Sequence, residues 1–170
     1  DGLVCVAAEG RHRYFRLAGE PVARVLEALN VVAGVAPALF VPSTPDPLRI
    51  ARSCYDHLAG TVAVALCERF VAEGWLRPVP GGRAFDVTAQ GAPAFARLGV
   101  DLEAARRQRR RFAFPCMDWS ERKPHIGGAL AAALLASLQR KRWLAREDDS
   151  RALTITALGE RELRTRFGVG

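Results

Sequence analysis

"HLAGTVAVALCERFVAEGWL" at residues 57–76 and "HIGGALAAALLASLQRKRWL" at residues 125–144 state nearly the same pattern twice. Shifted by 68 positions, residues 57–91 match residues 125–159 at twelve places without a gap, among them His57, Gly60, Trp75, Leu76, Thr88 and Gly91. Many other pairs exchange one apolar side chain for another, as Val62 with Leu130 and Phe70 with Leu138. Self-similarity at a fixed period marks a duplicated structural unit. Each copy reads as a helix of about five turns beginning at the histidine, then a strand opened by Trp-Leu. A turn follows ("PVPGGR" or "REDDSR"), then a return strand ("AFDVT" or "ALTIT") and a last helix capped by Thr88 or Thr156. Helix, hairpin, helix is half of a winged-helix module. The predicted fold class is therefore α+β, mainly helical, with duplicated winged-helix-like units and small two-stranded β-hairpins. Small faces on the long helices (Ala59, Gly60 and Ala63; Gly127, Gly128 and Ala131) predict that the copies pack on each other about a pseudo-twofold axis.

Upstream of the repeat, "GLVCVAAEGRHRYFRLAG" holds two β-prone runs around Glu9-Gly10, a hairpin pattern with Arg11, His12 and Arg13 near its tip. Pro21 then opens a run in which Val22, Val25, Leu26, Leu29 and Val32 recur at helical spacing. Pro37, Pro42, Pro45 and Pro47 follow and mark a linker. The expected organisation is a hairpin and dimerisation helix at 1–36, the linker at 37–49, one repeat at 50–100, a basic connecting helix at 101–115 and the second repeat at 116–170. The chain opens on Asp-Gly and runs directly into a strand, which suggests a preceding segment.

The 170 residues are 49% hydrophobic and 25% charged, the balance of a folded protein and not of a disordered one. The apolar run from Ile126 to Leu138 is too short for a membrane span. Four cysteines without close pairing predict reduced thiols in a cytoplasm. A net charge of +7, almost all from arginine, favours an anionic partner, nucleic acid first. That charge is concentrated in "RRQRRR" at 106–111, which reads equally as a solvated helix face or as a phosphate-binding stripe through Arg107 and Arg110.

The first 36 residues, with their Gly-Leu-Val strand and "RHRYFRL" strand ahead of an apolar helix, resemble the end of the DNA-binding domain of ArsR-type (arsenic-repressor-like) regulators. The remainder, with "ARSCYDHLAG" and "CMDWSERKPHIGGAL", resembles a long carboxy-terminal extension found in a subgroup of them. The resemblance implies a DNA-binding repressor, homodimeric, with Arg11, His12 and Arg13 as wing residues near the phosphate backbone of double-stranded DNA. It supports no metal site on the helix at 21–32, which lacks the histidine and aspartate ligands of metal-sensing relatives. No catalytic residues and no cofactor are expected.

Cys54, His57, Cys116 and His125 form the candidate effector site, with Trp119 as an unmatched aromatic beside it. Placed at helix starts, the histidines would be kept neutral by the macrodipole. Three readings stay open: structural capping histidines, ranked first, a soft-metal or thiol-reactive site if the axis joins the two ends, and a small-molecule pocket. Cys67 reads as inert core, and Trp75 and Trp143 as core pillars. The alternative to a regulator is a ligand- or partner-binding module without DNA activity; a thiol or metal enzyme lacks an acid–base set.

Overall fold

The computed structural model describes residues 2–9, 12–19, 21, 22, 25, 29, 44–81, 84–147 and 150–169. The chain divides into two compact units, Asp1–Val41 and Pro42–Gly170. It is a mixed α/β protein in which every described sheet is a two-stranded antiparallel hairpin.

In the first unit β1 (Val4–Glu9) pairs with β2 (His12–Leu17), Val4 opposite Leu17 and Glu9 opposite His12. Because side chains alternate along a strand, the pairs Val4–Leu17 and Val6–Phe15 share one face. All four of these side chains are exposed. Pro21, Val22, Val25 and Leu29 are helical, and Val25 and Leu29 are exposed as well. Arg11, the rest of the helix expected at 21–32, and Pro37 and Pro42 of the linker lie outside the described residues.

The second unit begins inside the stretch expected to be a linker. Asp46–Ile50 is a short helix, α1, because Pro47 occupies a first-turn position where no backbone N–H is needed. Two runs of elements follow. The first is β3 (Arg52–Cys54), β4 (His57–Ala59), α2 (Thr61–Ala72), β5 (Leu76–Pro78), β6 (Phe85–Val87) and α3 (Gly91–Arg97). After α4 (Leu102–Arg106), the second is β7 (Phe114–Met117), β8 (Pro124–Gly127), α5 (Ala129–Arg140), β9 (Leu144–Arg146), β10 (Leu153–Ile155) and α6 (Ala157–Phe167).

Two expectations are corrected here. The histidines do not open helices: His57 and His125 lie on the return strands of hairpins, and the helices that follow are 12 residues long. Gly60 and Gly128 separate strand from helix with φ of 95° and 97°. A Cβ at Gly60 would lie 2.5 Å from the Arg49 carbonyl oxygen, and one at Gly128 would lie 2.7 Å from that of Arg111. Glycine is required there on both counts. These glycines thus make the junction with the preceding segment. The basic connecting helix is likewise a single short helix, α4, capped by Asp101 accepting from the Ala104 N–H. The chain cannot continue helical to residue 115 because the carbonyls of Arg111 and Phe112 accept from Ala129 and Leu130, the first turn of α5.

The later parts of the two runs are held by the same contacts. Thr88 accepts from the Gly91 N–H and donates to the Gly74 carbonyl, and Thr156 does the same with Gly159 and Arg142. The long helices bury Val62, Leu66 and Phe70, and Leu130, Leu134 and Leu138, in one shared core. Each helix lies against the opposite run's hairpin, α2 on β8 and α5 on β4. Backbone bonds cross between the runs too, from Phe85 N–H to the Ala113 carbonyl (3.1 Å) and from Leu153 N–H to the Ala51 carbonyl (2.9 Å). Where the runs meet, a void of about 10 Å³ is lined by Leu58, Ala63 and Leu66 facing Ile126, Ala131 and Leu134. That volume holds roughly one water and no organic ligand.

Candidate functional site

Each hairpin ahead of a long helix carries one cysteine and one histidine directly across from each other. Cys54 pairs with His57 in the β3–β4 hairpin, and Cys116 pairs with His125 in the β7–β8 hairpin. The crossed helices hold the two hairpins side by side. The ligand atoms of Cys54, His57, Cys116 and His125 consequently all lie within 4.8 Å of one another, and the two imidazole centroids are 5.2 Å apart. His57, Cys116 and His125 are buried, and Cys54 is half-buried at the edge of the cluster. Cys5, Cys54, Cys67 and Cys116 form no disulfide.

Each histidine turns its Nδ1 toward a carboxylate. His57 Nδ1 is 3.4 Å from Asp56 Oδ1, and Asp56 is held in turn by both terminal nitrogens of Arg110. His125 Nδ1 is 3.2 Å from Asp118 Oδ2, close enough for an ion pair but not aligned as a hydrogen bond. The Nε2 atoms of both rings are buried and have no hydrogen-bond partner in the protein.

Asp118 is the anchor of this architecture. It is fully buried, and Arg52, only 1% exposed, donates to its Oδ1 at 2.7 Å while the Gly60 N–H donates to its Oδ2 at 2.7 Å. Ser120 adds its hydroxyl (2.8 Å) and backbone N–H (3.0 Å) to Oδ1. Burial alone would raise the Asp118 pKa, but His125, Arg52, the Gly60 N–H and Ser120 outweigh it and hold the carboxyl ionised far below its ordinary range. An aspartate from the second hairpin thereby satisfies an arginine and a helix-entry amide of the first run.

The thiols respond to the same crowding. A hydrogen bond from Cys116, helped by His125 and His57, overrides burial and brings the Cys54 pKa well down, favouring its thiolate. Burial disfavours a charged His125, yet Asp118 and Cys54 more than compensate and its pKa is raised. Cys67, in the middle of α2, has only burial and the Glu68 charge around it and is pushed up to about 12.

The sequence-derived candidates divide clearly. Cys54, His57, Cys116 and His125 come together, whereas Trp119 stands outside the cluster, half exposed, with the Arg52 guanidinium 4.3 Å over its ring. Arg107 is exposed, and Arg110 is engaged by Asp56. Arg13 is exposed on β2, and Arg11 lies outside the described residues. Arg52 and Asp118 escaped the reading of the sequence as site residues. The signal that would have found them is the buried charge implied by Asp118 lying between a cysteine and a histidine, in a hairpin with no counterpart for its long turn.

Fold and site together define a small mixed α/β domain built around a largely buried Cys/His cluster. No family model matches the chain, and no solved structure does. Over 160 residues it is 42% identical to an uncharacterized HTH-type transcriptional regulator, YdfF, of Bacillus subtilis (strain 168), an alignment spanning 93% of this chain and 70% of that protein. The chain belongs to this family of HTH-type transcriptional regulators. Among the described residues, no helix is long and apolar enough to cross a membrane.

Proposed function

We propose that the protein is a DNA-binding transcriptional regulator of the ArsR type, acting as a homodimer, whose duplicated domain at residues 50–170 senses an effector or mediates assembly. The observation that carries this reading is the 42% identity over nearly the whole chain to a protein named as an HTH-type regulator. Two features support it. The β1–β2 hairpin presents Val4, Val6, Phe15 and Leu17 on one exposed apolar face, the face by which a wing strand would lie on the helices of a reading head. The net charge of +7 suits a polyanion, with Arg11, His12, Arg13 and Arg107 as the phosphate contacts. Arg110 belongs to that set only when it leaves Asp56.

The duplication is supported by the recurring order of elements and by matched contacts such as those of Thr88 and Thr156. An effector acts on such a regulator only by binding one arrangement of the DNA-reading heads better than another. A mobility-shift titration with the protein expressed from its complete gene, against operator and random DNA over a salt series, tests the proposal. Operator affinity that falls steeply with salt is expected. A flat salt response with no preference for operator DNA would instead leave a binding module that does not act on DNA.

A further inference from the structure

We propose that Cys54, His57, Cys116 and His125 bind a single zinc-class divalent cation in a four-coordinate Cys2His2 site that ties the two hairpins together. As the effector of a regulator, the ion rests on the functional reading above; as a ligand of this domain it rests on geometry alone.

The donor set comes first. Two thiolates and two imidazoles are the borderline-soft ligands that zinc, cobalt and related ions take in tetrahedral sites. Metal–sulfur bonds of about 2.3 Å and metal–nitrogen bonds of about 2.0 Å place such donors roughly 3.3–3.8 Å apart. Here all four lie within 4.8 Å of one another, so small side-chain rotations close the shell. Four protein ligands leave no open position, the hallmark of a structural or regulatory ion in place of a catalytic one.

The second observation is independent of proximity. Both Nε2 atoms are buried without a partner in the protein, an arrangement that costs stability unless something accepts their lone pairs. Both Nδ1 atoms face carboxylates, Asp56 on one side and Asp118 on the other. A carboxylate hydrogen-bonded behind a histidine favours the ring with its proton on Nδ1 and its lone pair on Nε2, which is how metal-binding histidines are oriented. Asp56 makes that contact with His57, and Asp118 faces His125 at 3.2 Å without hydrogen-bond alignment.

Charge balances as well. Both sulfurs ligate as thiolates, and any proton still held by a cysteine or by His125 passes to solvent as the metal bonds form, so two thiolates neutralise a divalent ion. The outer carboxylates already have their own cations, Arg52 on Asp118 and Arg110 on Asp56. Among the described residues, Arg52 and Asp118, the buried charges beside the cluster, thus pair with each other. Half-buried Cys54 provides the point of entry.

The test is a titration of the reduced, chelator-treated protein with Co(II), followed by Zn(II). Intense visible bands of four-coordinate cobalt, with thiolate charge transfer in the near-ultraviolet, are expected to saturate at one ion per chain and to vanish as Zn(II) displaces it. Weak six-coordinate absorption only, or no saturation while circular dichroism reports a folded protein, would overturn the proposal. Cys54→Ser and Cys116→Ser should each weaken Co(II) binding at least tenfold, with Cys67→Ser leaving it unchanged. Should the serine variants not fold, the unmodified protein still decides: Zn(II) must protect half-buried Cys54 from alkylation, mapped by mass spectrometry, and equal labelling of Cys54 with and without Zn(II) sinks the site. Operator binding is measured in parallel. DNA binding without any metal uptake removes the ion and leaves the regulator, whereas metal uptake without DNA binding does the reverse.

Discussion

Single side chains carry most of what is specific to this domain. Arg52 and Asp118 form an ion pair with almost no solvent access, so removing either partner leaves a lone buried charge. Arg52→Ala is expected to cost about 3–5 kcal/mol, read from urea denaturation of the metal-free protein; a loss under 1 kcal/mol would mean that Asp118 is supported without it. The thiols make a second prediction. Cys67, raised to about 12 by burial, should stay unlabelled by a maleimide in the native state at neutral pH and react only on unfolding. Asp56→Asn should weaken metal binding by about 10–100-fold while leaving the unfolding midpoint of the metal-free protein nearly unchanged, since Asp56 is a partly exposed orienting group. The four cluster residues were legible from their chemistry, but the equivalence of the two cysteines was not. Two residues separate Cys54 from His57 and eight separate Cys116 from His125, so the register of the repeat sets Cys54 against Arg122 instead of Cys116.

Among the elements, the histidine-bearing strands were the hardest to read. Short runs such as His-Leu-Ala and His-Ile-Gly merge into the apolar helices behind them, and periodicity does not divide a three-residue strand from a helix turn. The signal was the glycine: Gly60 and Gly128 take positive φ between strand and helix. The Trp-Leu strands, the return strands and the Thr88 and Thr156 contacts were readable because turn residues and capping chemistry bracket them. One close approach yields a matched pair of predictions. A Cβ at Gly91 would lie 2.2 Å from the Trp75 carbonyl oxygen, and one at Gly159 would lie 2.0 Å from that of Trp143. Gly91→Ala and Gly159→Ala should each destabilise by about 3 kcal/mol or more through overpacking, measured by thermal melting; an unchanged melting curve for either would contradict the close contact.

At the level of the whole molecule, helix and hairpin content followed from the sequence, but the exchange of helices between the two runs did not. Pattern reading sees which faces are apolar and not which partner covers them. The exchange makes the metal proposal a statement about stability. An ion that binds only the folded domain stabilises it by about 2.7 kcal/mol at one hundred times its dissociation constant. Chelation should therefore lower the melting temperature, and Zn(II) in excess should restore it.

The crossing of α2 onto β8 and of α5 onto β4 has a further consequence for how the chain is assembled. A fragment ending near residue 100 and another starting near residue 107 would each carry a helix whose proper seat is on the other piece. Neither should hold a native shape alone, yet mixed together they should reunite into one particle. Co-expressed halves that copurify, and fail to do so once Phe70 and Leu138 are replaced by aspartate, would display that mutual dependence directly.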